Sequence, residues 1–278
     1  MNSAYIIAEI GINHNGSMEL AKRLVTQAHT SGADAVKFQK RTIDLVYTDE
    51  ELDRFRESPW GTTNRQQKEG LEFSMEQYKE LEQFTYDLGM DFIISCWDLN
   101  SVDLVEEHLN IKYHKIASAL TTDREFLEKL NTTGRPVILS TGMCSSEHIE
   151  AAIDILDNVE IVLACTSTYP TVPEEVNLRH IVTLREKYPH LTIGFSNHYS
   201  GLDACVGAVA IGAKCVEFHI THDRTSYGSD QSASIENSES LVTAIRNMEL
   251  MIGDGIKRVY ESEVPIAKKL RKKDDILQ

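Results

Sequence analysis

The chain has 278 residues, 41% of them hydrophobic, which is enough for one large core or two small domains. Its 28 Lys and Arg against 43 Asp and Glu give a formal charge of -15, which argues against nucleic acid and an anionic membrane surface as partners. A small anionic substrate stays open, because a local cationic pocket can override net charge. The five cysteines form no CxxC pair. No basic-plus-apolar leader opens the chain, and no apolar run approaches the roughly 18 residues of a membrane span. A reduced cytoplasm is the expected compartment.

Residues 5–9 read as a short buried strand and 11–16 as a turn-rich polar loop. Residues 18–29 carry helical spacing, with Leu20, Leu24, Val25 and Ala28 on one side. A second strand covers 35–39. A charged insert, roughly 41–72, follows it and contains Pro59-Trp60-Gly61. It is longer than an ordinary strand-to-helix connection and is expected to form a lid or rim. Ser74 opens a helix to Leu88, Gln77 completes its capping box, and Gly89 ends it. Strands then fall at 92–95, 113–116, 136–140, 160–164, 191–195 and 214–219. Helices alternate with them at 99–108, 122–130, 146–156, 173–188, 201–211 and 236–251, the second of these with Thr122 and Glu125 as a capping box.

Eight strand-then-helix units without an intervening domain predict a closed (β/α)8 TIM barrel over 1–256, with the 41–72 insert as its one long excursion. A doubly wound open sheet is the alternative. A dinucleotide-binding version should show GxGxxG after the first strand, where this chain has Gly11-Ile-Asn-His-Asn-Gly16. Residues 257–278 are basic, and read as a terminal helix on the barrel or a linker.

The predicted strand ends carry Glu9, Lys37, Gln39, Ser95, Lys115, Ser118, Ser140, Ser167, Ser196, Asn197, His198, Glu217 and His219, and a polar loop with Asp230 follows the last. A barrel brings such positions onto one face. Burying an ammonium is costly without an anion, so Lys37 and Lys115 are either functional or structurally paired. His198 and His219 could hold a divalent metal near Glu9 or Glu217, or be supporting core histidines. Oxygen-rich surroundings would fit Mn or Mg, and nitrogen ligands pull toward Mn, Fe, Co or Zn. The lysines, with Ser140, Ser167, Ser196 and Asn197, suit a phosphate or carboxylate. Two reaction classes stay open: metal-assisted carbon–carbon bond formation with an anionic three-carbon donor, and a lysine Schiff-base aldolase.

The segments Ala8-Glu-Ile-Gly-Ile-Asn-His-Asn-Gly16, Gly32-Ala-Asp-Ala-Val-Lys-Phe-Gln39, Lys115-Ile-Ala-Ser118, Leu139-Ser-Thr-Gly-Met143, Cys165-Thr-Ser-Thr-Tyr-Pro170, Gly194-Phe-Ser-Asn-His198 and Glu217-Phe-His219 with Asp230 resemble the sialic acid synthase family. The family includes N-acetylneuraminate, legionaminate and pseudaminate synthases. The resemblance implies condensation of phosphoenolpyruvate with an N-acylmannosamine-like aldose, giving a nine-carbon 2-keto acid and phosphate. It implies that His198 and His219 hold Mn²⁺, with Mg²⁺ or Co²⁺ as alternatives. Lys37, Lys115, Ser140, Ser167 and Ser196 match positions on the donor's phosphate or carboxylate. Glu9 matches a carboxylate near donor and water, and Tyr169 a residue of the mouth. Glu217 and Asp230 match positions near the sugar hydroxyls. The family usually places an acidic residue where this chain has Leu120, so one acceptor contact is expected to be lost or supplied elsewhere. It also implies a homo-oligomer in which a small antifreeze-like domain, beyond the span of this chain, caps a partner's mouth.

Overall fold

Runs of β-branched and aromatic residues, each closed by turn residues, form eight parallel strands in a computed structural model that describes residues 3–272. They are β1 (Tyr5–Gly11), β2 (Ala35–Lys40), β5 (Asp91–Cys96), β6 (His114–Ile116), β7 (Val137–Ser140), β8 (Val159–Cys165), β9 (Thr192–Asn197) and β10 (Cys215–His219), with β3 (Phe55–Ser58) and β4 (Gly61–Thr63) as a separate hairpin. The eight close in the order β1-β10-β9-β8-β7-β6-β5-β2, which is the expected TIM barrel. Register positions the site: Glu9 lies level with His219 on one side and Lys37 on the other, and Glu217 is level with Ser196.

Period-two alternation sorts each strand between two cores. Ile7, Ala35, Ile93, Tyr113, Ile138, Ile161, Leu163 and Cys215 fill the barrel interior. Ile6, Ala8, Val36, Phe38, Phe92 and Phe218 face outward into the larger layer between strands and helices. The helix Met75–Asp87 starts in the expected Ser74–Gln77 capping box. Two expectations shift. Asp123, not Thr122, caps the helix Arg124–Thr133 by accepting the Phe126 N–H at 3.1 Å, because a carboxylate one residue on competes better for the free amide. The helix expected over 173–188 is two, Pro173–Val176 and Arg179–Lys187, separated by Asn177 at φ 47°.

The 41–72 insert is structured, with helices Ile43–Val46, Asp49–Asp53 and Asn64–Leu71 around the hairpin. Its Trp60 meets Tyr227 of the loop after β10 edge-on, at 5.8 Å between ring centres. The tail carries a short helix, Val264–Leu270, with Ile256, Val259, Tyr260 and Ile266 exposed. Residues 273–278 of the tail lie outside the described residues. No described helix is long and apolar enough to cross a membrane.

Candidate active site

A cavity of about 260 Å³ opens at the carboxyl ends of the strands. Every anticipated residue except Asn197 and Asp230 lines it: Glu9, Lys37, Gln39, Lys115, Ser118, Ser140, Ser167, Tyr169, Ser196, His198, Glu217 and His219. Their places follow from the strands. Position 9 follows interior-facing Ile7 by two residues, 115 follows Tyr113, 140 follows Ile138, and 217 follows Cys215. One step along each strand turns an apolar floor into a polar mouth.

Both lysines are buried, and both have carboxylates. Lys37 Nζ lies 2.8 Å from Glu9 Oε2 and 3.9 Å from Glu217 Oε1. Lys115 Nζ is 3.8 Å from Glu217 Oε1 and donates to Ser140 Oγ and to the Ile116 carbonyl. Gln39 Nε2 donates to Glu9 Oε1 at 2.7 Å, and Ser196 Oγ to Glu217 Oε1 at 3.1 Å. Burial alone would lower the pKa of Lys37, but Glu217 and Glu9 outweigh it and raise the value. For Lys115 burial wins, aided by Lys37 and opposed by Glu217, and its pKa falls. Burial would raise Glu217, yet the charges of Lys115 and Lys37 hold it below the usual carboxylate range. The two ammonium groups and two carboxylates therefore cancel formally.

The imidazoles of His198 and His219 lie side by side, 5.5 Å between ring centres, with Tyr169 4.0 Å from the first and 5.7 Å from the second. His198 Nδ1 donates to the Thr166 carbonyl at 2.6 Å, which leaves its Nε2 lone pair free. His219 Nδ1 is 3.7 Å from Asp230 Oδ2, and both it and Glu217 Oε2 are buried without a hydrogen-bond partner. Two imidazoles, one oriented by a carbonyl and one beside a carboxylate, fit a divalent ion. Among the described residues no three His, Cys, Asp or Glu form a ready-made metal-binding set.

The remaining donors form a cradle beside His198, with Cys165 Sγ 3.8 Å from His198 Nδ1 and 3.9 Å from Ser167 Oγ. The Gly142 N–H donates to Ser118 Oγ at 3.0 Å. A Cβ at Gly142 would lie 2.1 Å from Ser167 Oγ and 2.8 Å from Ser118 Oγ, so only glycine lets the backbone approach both hydroxyls. Asp230 stands at the rim: a Cβ on Gly11 would be 3.0 Å from Glu9 Oε1, 3.2 Å from Gln39 Nε2 and 3.3 Å from Asp230 Oδ2. Asn197 is placed differently from the expectation. Alternation turns it away from Ser196 and His198, and its amide holds the next turn by donating to the Tyr199 carbonyl and accepting the Tyr199 N–H. Leu120 lies in the short turn Ser118–Leu120 and packs against the outer core. Trp97, Met143 and Cys165 also line the cavity, and sequence reasoning passed over them. Trp97 and Cys165 had a signal, each lying two residues beyond an interior-facing position, Ser95 and Leu163.

A parallel barrel whose mouth gathers buried ammonium groups, carboxylates, hydroxyls and paired imidazoles has the make-up of an enzyme active site. The chain matches the NeuB family over residues 24–257 and belongs to it. It is a synthase of the sialic-acid type. It is 39% identical over 275 residues to the N-acetylneuraminate-9-phosphate synthase of Homo sapiens, covering 96% of this chain and 76% of that protein. It is 35% identical over 283 residues to the N,N'-diacetyllegionaminic acid synthase of Legionella pneumophila, covering 97% and 79%. The crystal structure of N-acetylneuraminic acid synthetase from Leptospira borgpetersenii, in complex with citrate, superposes with a TM-score of 0.81 at 30% identity, covering 98% of this chain and 94% of that one.

Proposed function

We propose that the protein joins C3 of phosphoenolpyruvate to the open-chain carbonyl carbon of an N-acylmannosamine-like aldose, with water adding at C2 and inorganic phosphate leaving. The observation that carries this reading is the convergence of buried Lys37 and Lys115 with the hydroxyls of Ser118, Ser140, Ser167 and Ser196 at one mouth. Glu9 and Glu217 offset the two ammonium charges, so added positive charge would strengthen the hold on a carboxylate and a phosphate together. His198 and His219 would hold that charge as a divalent ion, Mn²⁺ first with Mg²⁺ or Co²⁺ as alternatives. When bound, the ion supplies Lewis-acid polarisation of the aldose carbonyl.

The chain's own groups do the rest. Lys115 and the hydroxyls of Ser118, Ser140, Ser167 and Ser196 bind the donor's phosphate and carboxylate. Lys37 keeps Glu9 ionised and oriented. Glu9, held by Gln39, takes a proton from the water that adds to C2. Glu217 and Asp230 fix sugar hydroxyls, and Tyr169 covers the histidines. The lysines act through charge. A Schiff-base aldolase shares one observation, the lowered pKa of buried Lys115. Borohydride trapping separates the two, since only the aldolase yields a lysine adduct.

Phosphate release from phosphoenolpyruvate is measured with a panel of mannosamine-like aldoses and Mn²⁺. Release that requires both aldose and ion is the expected result. No release with any aldose sinks the synthase reading. A folded His219→Ala protein with full activity in chelator sinks the metal assignment.

A further inference from the structure

The barrel order makes β2 and β10 the two neighbours of β1. The 41–72 insert leaves the end of β2 and the loop 220–230 leaves the end of β10, so both rise beside the turn that follows β1. They meet at Trp60, in the tip of the β3–β4 hairpin. A Cβ on Gly70 would lie 2.2 Å from Trp60 Cγ, so the indole rests on that glycine. A Cβ on Gly16 would lie 2.0 Å from the Gly70 carbonyl oxygen, so the insert is seated on the turn after β1. From this seat the indole meets Tyr227 edge-on, at an interplanar angle of 71°. Residues 222–226 of the same loop are exposed, and Tyr227 is the largest apolar side chain between Thr221 and Asp230. Three residues on, Ser229 Oγ donates to Asp230 Oδ1 at 2.8 Å, and Asp230 Oδ2 stands 3.7 Å from His219 Nδ1. Behind Asp230, Ser234 Oγ donates to its main-chain carbonyl at 2.7 Å, and Asn13 Nδ2 donates to that hydroxyl at 2.8 Å. Asp230 is thus held from behind by the turn after β1, and its loop is held in front by the indole.

We propose that Trp60 is a positioning residue: by clasping Tyr227 against the insert it sets the Asp230 carboxylate at the rim, beside His219. This rests on the synthase reading above, in which Asp230 fixes a hydroxyl of the aldose, and it gives the insert a part in acceptor binding. The donor's groups lie elsewhere. Ser140 ends β7, which is diametrically opposite β1 in the ring, and Lys115 with Ser118 and Ser167 belong to the flanking β6 and the turns after β6 and β8. Loss of the indole therefore weakens the hold on the aldose and leaves the hold on phosphoenolpyruvate as it was.

Phosphate release is measured with Mn²⁺ and the aldose of the panel that the wild type turns over fastest, in the wild type, Trp60→Ala, Trp60→Phe and Asp230→Asn. The readout is the KM for each substrate beside kcat. Trp60→Ala is expected to raise the aldose KM roughly three- to tenfold, the worth of an edge-on aromatic pair. The KM for phosphoenolpyruvate should stay within roughly a factor of two, as for a distant independent site. Trp60→Phe, which keeps a ring against Tyr227, should recover most of the aldose KM. In an Asp230→Asn background Trp60→Ala should add little, because both changes act on one carboxylate. An unchanged aldose KM, an equal rise in both KM values, or full additivity with Asp230→Asn overturns the proposal. Should Trp60→Ala not fold, Tyr227→Leu makes the same test from the loop side. Absence of turnover with every aldose is the failure of the synthase reading alone. Trypsin then decides the clasp, since Arg224 is the one Lys or Arg between Thr221 and Asp230. Cleavage after Arg224 should be several-fold faster in Trp60→Ala than in the wild type, and an equal rate overturns it.

Discussion

Two layers of the barrel interior sit one strand step apart and differ completely in chemistry. The lower holds Ile7, Ala35, Ile93, Tyr113, Ile138, Leu163 and Cys215. The upper, two residues further along the same strands, holds Glu9, Lys37, Ser95, Lys115, Ser140, Cys165 and Glu217. The lower layer excludes water and contributes stability through burial. The upper layer inherits that dry floor, which strengthens its electrostatics and makes an unmatched charge costly. Catalytic charge is therefore placed where the fold tolerates it only in matched pairs.

The largest expected effect comes from breaking such a pair. Lys37→Met should lower kcat/KM by roughly a thousandfold or more, since an electrostatic group in the mouth is lost. It should also cost about 3–5 kcal/mol of stability, because Glu9 loses its 2.8 Å partner while still buried. Adding Glu9→Gln should recover much of the stability and none of the activity. Phosphate-release assays and denaturant melts of the single and double variants measure both. Undiminished stability in Lys37→Met would mean that the upper layer is not dry. The lower layer gives the opposite pattern. Ile138→Ala, at a fully buried floor position, should cost about 2–5 kcal/mol and leave kcat/KM of the folded protein within roughly tenfold. A far larger loss of activity in a well-folded variant would show that the layers are not separable.

The sequence carried much of this division, because period-two alternation and the order of eight units are local signals. Glu9, Lys37, Lys115 and Glu217 could be placed at one mouth from strand ends alone. Their pairing could not be read, because Lys37 and Glu217 come from strands 180 residues apart in sequence and meet only through closure at β1 and β10. Asn197 was placed with its neighbours in the mouth, although the alternation that turns Ser196 inward turns Asn197 away. Trp97 and Cys165 obeyed the same rule and were missed because neither is an obvious donor. The fold of the charged insert was hidden, because it depends on tertiary contacts. Its length announced a rim, and nothing local announced that Trp60 would meet Tyr227.

The smallest effect concerns a polar residue of the upper face that does not enter the cavity. His14 is buried, stacks on Phe73 at 4.1 Å between ring centres, and accepts the Gly16 N–H at 3.1 Å through Nδ1. Burial is the main cause of its pKa of about 3, against 6.5 for a free histidine. The unfolded chain thus takes up a proton that the native chain refuses. Stability is fully present above pH 6.5 and declines as pH falls toward about 3. For this one group, roughly 1 kcal/mol should be lost between pH 6.5 and 5.5. Denaturant melts of wild type and His14→Gln at both pH values test it, and the difference between the proteins isolates the histidine from other titrating groups. An identical pH dependence would mean that water reaches His14. The rim built by the insert would then be open, and the boundary between a dry interior and a solvated mouth would lie deeper than Glu9.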